Sequence, residues 1–308
     1  MTTRYFPLWT LPLAGLMLGS AWAEGSRLSF DDPDDVITMA RKVGCSTIDG
    51  EPITYYWHGH AYSRIRGEPD RRLFRVEGMN VRTCVTHEHP EHGVGYRQVS
   101  REIMLYLDPE THEVLSTWDN PWTGETVKVL HVANDPVNMR SPRFAHGPTG
   151  PARFSGHVEG DVFWQNITFP LWYSNPLGGD FQAEVGGTYQ ATEMFNFFGR
   201  VDDLTNPDST TANVQVGWAR MSDWLPWMRM HGRQGLIYFH AAGTKLAHWD
   251  DLPDVLKDEI DRHYPDYREA PPLDDDRPNV TSWTYFRDIA EGRIEAPDRD
   301  LEHTEADD

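Results

Sequence analysis

The chain has 308 residues and a formal net charge of −20, and aromatic residues make up 12% of it. So large an acidic excess argues against nucleic acid and anionic membrane surfaces as partners, because both are polyanions. A chain of this length can bury a substantial core without metal or disulfide staples. We therefore interpret the charge as a solubility feature.

The first residues have the features of an export signal. One positive charge at Arg4 precedes an apolar stretch over residues 5–19, and Ala21-Trp22-Ala23 forms a small-x-small cleavage motif. The apolar stretch is short and contains two prolines, so it suits a bilayer span poorly; a buried helix or a retained anchor is the alternative. We predict a signal peptide over residues 1–23, a periplasmic or secreted mature chain, and no later membrane span.

After the signal, one short helix precedes a long series of strands. Residues 29–42 predict the helix, since acidic residues lie in its first turn and apolar residues follow at helical spacing. Segments rich in aromatic and β-branched residues predict strands at 53–65, 73–85, 94–107, 114–118, 126–132, 152–158, 162–171, 188–201, 211–221 and 235–241. Long loops are predicted at 135–151 and 174–187. Helical spacing returns at 252–263 and 282–291, and the acidic tail from residue 296 is predicted to be disordered.

These elements predict a mainly β fold in a single domain over residues 24–295. About ten strands joined mainly by tight turns indicate antiparallel pairing. A lipocalin-like β-barrel would remove the free edges of such a sheet and could hold one small ligand. A β-sandwich of two sheets fits the same pattern, so that alternative stays open, and so does the oligomeric state.

Cys45 and Cys84 are the only two cysteines of the chain. In an oxidising compartment such a pair is a candidate disulfide, and two buried free thiols are the alternative. A metal site made of two cysteines alone is not expected.

Several sequence blocks together have the pattern of a known family. The joined blocks are Arg101-Glu102, YLDPET at 106–111, NPWTGETV at 120–127 and HVANDPVN at 131–138. Further blocks lie at 41–43, 172–177, 193–195 and 224–228. Over most of the mature chain these blocks resemble the uncharacterised bacterial family catalogued as domain of unknown function 1838. The resemblance implies a single domain and carries no activity, cofactor or catalytic residue, and residues 86–92 do not match the family pattern.

Glu193 is the first candidate for chemistry. On a strand, its side chain shares a face with the aromatic residues at 189, 195 and 197. A carboxylate on an apolar inward face needs a partner or a raised pKa, which is the environment of a catalytic acid. Arg97 or Arg101 on another regular strand could supply that partner. A buried structural ion pair is the alternative.

A second candidate is the segment at residues 131–138, where a strand enters a proline-rich loop. His131 or Asp135 could act as general acid or base, and Asn134 and Asn138 could donate hydrogen bonds to a developing oxyanion. The alternative is that the Asn and Asp side chains cap a turn around Pro136.

His58 and His60 form the candidate metal site. They lie two residues apart on a predicted strand, so both imidazoles face one side and could bind a divalent metal with a third ligand such as Glu193 or His131. A solvated strand face is the alternative. No other cofactor is predicted, because the sequence contains no nucleotide-binding loop and no nucleophile motif.

Clustered aromatic residues complete the functional interpretation. Trp172, Tyr173 and Trp224 lie near loops and could line an apolar pocket, although core packing is the alternative. The leading hypothesis is a protein that binds a small apolar or aromatic molecule, with Arg97 among the orienting residues. In its preferred form this protein is a cofactor-independent acid/base enzyme of the isomerase, lyase or hydratase type.

Two other functions remain open at this point. A non-catalytic carrier with the same cavity would tolerate Glu193→Gln, whereas an acid/base enzyme would lose turnover and keep binding. A metal-dependent hydrolase built on His58 and His60 would lose both metal and activity on His58→Ala.

Overall fold

The long strands of the chain join one antiparallel sheet of ten strands. A computed structural model describes residues 27–174, 188–230 and 232–299. The predicted signal peptide and most of the loop predicted at 174–187 lie outside these residues. The prediction of a mainly β, antiparallel fold of about ten strands with few helices is confirmed.

Helices are few and short beside the strands. The described α-helices are α1 (Pro33–Gly44), α2 (Val201–Thr205), α3 (Asp254–His263) and α4 (Ser282–Ala290), and 3-10 helices lie at Pro226–Met228, Trp249–Asp251 and Pro265–Arg268. The strands are β1 (Ile53–Arg64), β2 (Arg72–His89), β3 (Gly93–Leu107), β4 (Thr117–Asp119), β5 (Thr126–Lys128), β6 (Val132–Asn134), β7 (Arg143–Phe144), β8 (His146–Gly147), β9 (Gly150–Pro151), β10 (His157–Glu159), β11 (Val162–Ser174), β12 (Thr188–Arg200), β13 (Val214–Ser222) and β14 (Leu236–Lys245).

The strand order brings the first and last long strands together. It runs β10-β11-β12-β13-β14-β1-β2-β3-β6, and β7 also pairs with β3. All these pairs are antiparallel, and β4 with β5 and β8 with β9 form two small separate hairpins. Within the described ranges, no strand pairing joins β10 to β6 at the two ends of this order.

The sheet is curled, so side chains from distant strands meet on one face. β3 and β14 are three steps apart in the strand order, which corresponds to roughly 14 Å in a flat sheet. The ring centroids of Tyr106 on β3 and Phe239 on β14 nevertheless lie 6.5 Å apart. We call the face that carries these two rings the concave face and the opposite one the convex face.

Two apolar clusters fill the ends of the concave face. At one end, Phe74 and Phe239 pack around Trp227 of the 3-10 helix Pro226–Met228. At the other end, α1 packs against the sheet through a cluster that includes Val36, Met39, Val43, Tyr55 and Val214. The residues between these clusters form a band across the middle of the concave face.

The last helix bridges strands from both parts of the sheet. Trp283 of α4 packs against Tyr189 of β12 with ring centroids 4.8 Å apart, and α4 also contacts β6. Trp283 is only 1% exposed. α4 therefore covers the side of the concave face that the strand pairing leaves open.

The convex face of β2 and β3 is covered by α3 and the segment that follows it. Leu256 and Ile260 of α3 lie in one cluster with Met79, Ile103 and Leu105. Every residue of β3 from 103 to 107 is consequently buried, although alternate side chains point to opposite faces. The tail predicted to be disordered begins against this layer, since Arg299 forms an ion pair with Glu259 of α3.

A disulfide bond ties α1 to the sheet. It joins Cys45, which directly follows α1, to Cys84 on β2, and the two Cα atoms are 6.0 Å apart. Both residues are fully buried. Of the two alternatives for the cysteines, the structure therefore contains the bridge.

Candidate functional site

Charged and aromatic side chains meet in the band between the two apolar clusters. The strand registers place them on one face, because cross-strand partners point to the same side of a sheet. Asn80 lies opposite Glu102, Glu102 opposite Asn134, and Glu193 opposite Arg220. We call this the polar band, and it comprises Trp57, Asn80, Arg82, Glu102, Asn134, Glu193, Trp218 and Arg220.

Glu102 on β3 is a carboxyl group whose pKa is raised in the folded protein. Burial raises its pKa above the ordinary value of 4.5, and the nearby negative charge of Glu193 raises it further. A hydrogen bond from Asn134 Nδ2 at 3.1 Å and the charges of Arg220 and Arg82 act in the opposite direction without reversing the shift. The protonated form can donate a hydrogen bond, which a carboxylate cannot do.

Glu193 on β12 has a cationic partner, which Glu102 does not have among the described residues. The guanidinium of Arg220 on β13 donates to Glu193 Oε1 at 2.9 Å and also to the hydroxyl of Tyr189. Burial lowers the pKa of Arg220, but Glu193 and Tyr189 more than compensate and raise it above its ordinary value. The sequence suggested Arg97 or Arg101 as the partner of Glu193, and the structure shows Arg220 instead.

Three buried polar atoms of the band have no hydrogen-bond partner among the described residues. They are the indole nitrogen of Trp57, the carbonyl oxygen of Asn134 and Nε of Arg220. An unpartnered buried polar atom costs about 1–3 kcal/mol, so native proteins rarely keep several together without water or a ligand. Their side chains supply two donors and one acceptor beside Glu102.

Solvent reaches part of this band. The side chains of Glu193 and Arg220 keep 22% and 20% of their surface accessible, although both lie on the concave face between packed clusters. Trp57 and Trp218 are partly buried, and their rings are 6.4 Å apart in an edge-on arrangement. The band therefore has open polar groups next to aromatic walls.

Two depressions of the surface lie away from the polar band. One of about 580 Å³ is lined by residues at the turn between β2 and β3, namely Glu88, His89, Pro90, Gly93 and Val94. Another of about 250 Å³ is lined by Thr123, Glu125, Arg229, Met230 and Arg233. Neither depression contains a residue of the polar band, and the candidate site is defined by its charges and unpartnered atoms.

Two of the residues singled out in the sequence meet in the band, and His131 does not. Glu193 and Asn134 both lie on the concave face, close to Glu102. His131 is 2% exposed; its Nδ1 accepts from the backbone N–H of Tyr106 at 3.0 Å, and its Nε2 lies 3.1 Å from the carbonyl oxygen of Leu115. Burial holds the pKa of His131 well below its ordinary value. Both ring nitrogens are therefore occupied by backbone groups.

Asp135, Asn138 and Arg97 belong to a separate network that holds the C-terminal segment. Asp135 forms ion pairs with Arg101 at 3.1 Å and Arg277 at 2.7 Å. Asn138 accepts from the backbone of Ser100 and donates to Asp275, while Arg97 donates to the carbonyl oxygens of Met139 and Asp275. Arg97 and Arg101 project from the convex face of β3, since the alternate residues Glu102 and Tyr106 face the concave side.

Trp172 and Trp224, two of the predicted aromatic residues, lie in different surroundings. Trp172 is 75% exposed, on the convex side of β11. Trp224 is buried against Trp122 with ring centroids 5.5 Å apart, in the apolar cluster beside the band. Tyr173 belongs to β11, but its side chain lies outside the described part of the structure.

His58 and His60 share the convex face of β1, as their spacing predicted. His60 lies opposite His240 of β14, and burial together with the charges of Arg72 and Arg75 lowers its pKa. Across residues 27–174, 188–230 and 232–299, no group of three or more His, Cys, Asp or Glu side chains is arranged to hold a metal ion.

Sequence reasoning overlooked Glu102, Arg220, Arg82 and Trp57. For Glu102 the signal was present, because Glu102 alternates with Ser100 and Met104 on a strand and therefore shares their face. The same argument had selected Glu193. The other three carry no comparable local signal, since charged and aromatic residues are common on both faces of these strands.

Replacing Glu102 with glutamine is expected to change how stability depends on pH. Because the pKa of Glu102 is raised in the folded protein, Glu102 contributes stability that is fully present below pH 4.5, its ordinary pKa. This stability is lost as the pH rises through the pKa that Glu102 has in the folded protein. Glutamine cannot ionise, so E102Q should gain stability relative to the unmodified protein as pH rises above 4.5. Urea unfolding of both proteins across this range measures the difference, with E110Q on the exposed surface as control. A difference that does not vary with pH would contradict the raised pKa.

The fold and the band define a class of protein: a mainly β chain whose curled antiparallel sheet surrounds charged and aromatic side chains. A family model described as protein of unknown function (DUF1838) matches residues 50–290. The chain belongs to this family, which confirms the resemblance seen in its sequence blocks. No curated protein matches the chain. Among the described residues, no helix is long and apolar enough to cross a membrane.

Proposed function

We propose that the protein binds a small, mainly apolar or aromatic molecule against the polar band and catalyses proton transfer on it without a cofactor. The observation that carries this proposal is the pair of carboxyl groups, Glu102 and Glu193, whose surroundings differ. Burial favours the protonated form of Glu102, whereas Glu193 is paired with Arg220. Two carboxyl groups in unlike surroundings are a common basis for acid/base catalysis.

The chemistry that fits this pair is an isomerase, lyase or hydratase type of reaction. Glu102 would deliver a proton to one position of the substrate, and Glu193 would accept one from another position. In an isomerisation, the proton that Glu193 gains must return to Glu102 through solvent before the next turnover, so protons balance over the cycle. The Trp57 indole N–H and the Asn134 carbonyl oxygen would orient the substrate.

The walls of the band support an aromatic or apolar ligand. Trp57, Trp218 and Phe195 lie on the concave face beside the charged groups. Small-molecule sites typically combine apolar and aromatic lining with a few convergent polar groups. We further propose that the curled sheet and α4 enclose the ligand as a barrel would.

We also propose that the chain is exported and that residues 1–23 are removed. The export signal in the sequence motivates this proposal. The Cys45–Cys84 disulfide supports it, because structural disulfides persist in oxidising compartments and are rare in the reducing cytosol.

Native mass spectrometry of the protein purified from periplasm, followed by deuterium exchange of the bound molecule, tests the function. We expect a co-purifying small molecule on a chain that begins at Glu24. Incubation of that molecule with the protein in D₂O should incorporate deuterium at carbon. E102Q and E193Q should retain binding but slow this exchange by at least about 100-fold, since a positioned acid or base typically contributes that much.

The matched control is E110Q, which removes an exposed glutamate paired with Arg72. It should exchange deuterium at the rate of the unmodified protein. If E102Q and E193Q exchange as fast as E110Q, the protein is a carrier and the catalytic proposal fails. If no small molecule binds, the binding proposal fails as well.

A further inference from the structure

We infer that the molecule bound at the polar band is a monocarboxylate, and that Arg82 binds its carboxylate group. This inference rests on the proposed function and adds the chemical class of the ligand. It depends on the surroundings of Arg82, on the balance of charges in the band, and on the position of Arg82 relative to Glu102 along the strands.

Arg82 has no anionic partner among the described residues, although its side chain is half-buried. Its Nε donates to Asn80 Oδ1 at 2.6 Å, its Nη1 lies 3.4 Å from Gln98 Oε1, and its guanidinium stacks over the ring of Tyr55 at 4.8 Å. These partners are all neutral, and Nη2 makes no hydrogen bond with a described residue. No described carboxylate lies within 4.0 Å of the Arg82 guanidinium, which is the limit for a salt bridge.

Most other low-exposure arginines form an ion pair, and Arg97, which does not, donates to the backbone carbonyl oxygens of Met139 and Asp275. Arg41 pairs with Asp49, Arg75 with Glu77, Arg220 with Glu193 and Arg299 with Glu259. Buried charges in proteins are normally paired or hydrogen-bonded to an ion, because desolvating a lone charge is costly. Arginine presents two parallel donors that match a carboxylate, and stacking on an aromatic ring leaves that edge free.

The charges of the band leave one positive charge without a partner. Glu193 forms an ion pair with Arg220, whereas Glu102, whose pKa is raised by burial, forms none with Arg82. Lys245, Tyr55 and Tyr96 also face Arg82, and none of them supplies a negative charge at neutral pH: burial raises the pKa of both tyrosines, and Lys245 donates to the Lys42 carbonyl at 2.6 Å. An anionic group on the ligand would supply the ion-pair partner that Arg82 lacks among the described residues.

The position of Arg82 sets where the carboxylate would lie. Arg82 and Asn80 are alternate residues of β2 on the same face, roughly 6–7 Å apart along the strand. Asn80 lies opposite Glu102. A ligand that places its carboxylate on Arg82 therefore extends its body toward Glu102 and the Trp57 indole, where proton transfer would occur. A ring of benzene or naphthalene size fits that separation.

The test compares a carboxylate with its neutral amide on the full mature chain. 2-Naphthoate and 2-naphthamide are titrated by isothermal calorimetry into the unmodified protein, R82Q, R82K and R64Q. We expect 2-naphthoate to bind at least about tenfold more tightly than the amide, as expected for a hydrogen bond to a charged group. R82Q should abolish this preference, whereas R82K keeps the charge and should keep the preference with weaker binding. R64Q, on the convex face, should behave like the unmodified protein.

The outcomes separate this inference from the proposed function. Equal binding of acid and amide, or an unchanged preference in R82Q, overturns the carboxylate inference and leaves binding at the band intact. If neither compound binds at millimolar concentration, both the inference and the binding proposal fail. R82K guards against a folding defect in R82Q, and circular dichroism melting of each variant checks that the sheet is retained.

Discussion

Replacing Arg220 with methionine is expected to lower the free energy of unfolding at neutral pH by about 3 kcal/mol, because it leaves a partly buried carboxylate unpaired. Arg220 is the only cation in salt-bridge contact with Glu193 among the described residues, and it also donates to the Tyr189 hydroxyl. Glu102 lies close enough to add repulsion if it ionises. The same change would remove the cationic partner that makes the surroundings of Glu193 differ from those of Glu102.

The double variant separates the ion pair from simple packing. R220M/E193Q removes both charges, so it should recover at least about half of the stability lost in R220M. Urea unfolding monitored by tryptophan fluorescence measures all three proteins, with R64M as an exposed control on the same sheet. If R220M is as stable as R64M, or if adding E193Q brings no recovery, the ion pair does not stabilise the band.

Removing the disulfide is expected to have an effect of similar size. Replacing Cys45 and Cys84 by alanine should lower the free energy of unfolding by about 4 kcal/mol, because the bridge closes a long loop and restricts the unfolded chain. The sequence separation of the two cysteines is 39 residues. Both side chains are fully buried, so reduction should become complete only as the protein unfolds.

Comparison with the reduced protein checks this expectation. The free energy of unfolding of the unmodified protein is measured in urea with and without dithiothreitol. The loss caused by dithiothreitol should equal the loss caused by C45A/C84A, apart from the small packing cost of two alanines. A reduced protein that unfolds at the same urea concentration as the oxidised one would mean that the bridge contributes no stability. Loss of the bridge should affect α1 first, since Cys45 directly follows that helix.

Mutations of His131, Asp135 and Asn138 should have different effects from mutations in the polar band, because these three residues lie outside it. His131, Asp135 and Asn138 hold backbone segments and the C-terminal region through hydrogen bonds and ion pairs. Changes there should act on stability. Changes in the polar band should in addition act on ligand binding and on the protonation of Glu102, as we expect for R220M beside its effect on stability.

The sequence alone determined the features that depend on short-range pattern. The alternation of side chains along strands predicted that Glu193 shares the inward face of its strand with aromatic residues, because side chains alternate with a period of two in any sheet. Segments rich in aromatic and β-branched residues predicted the long strands. Turn motifs predicted antiparallel connections, and the joined blocks at 101–138 predicted the family. The spacing of His58 and His60 likewise placed them on one face.

Only the tertiary structure decided which of these residues meet. Arg220 is the partner of Glu193 because β12 and β13 pair in a particular register, and Glu102 approaches both because the sheet curls across several strands. His131 looked like an acid/base residue, but its ring nitrogens contact backbone groups of residues 25 and 16 positions away. Strand pairing, sheet curvature and burial depend on contacts between distant parts of the chain. A local pattern can therefore predict that a charged side chain lies on a given face, but it does not show which charged side chain lies opposite.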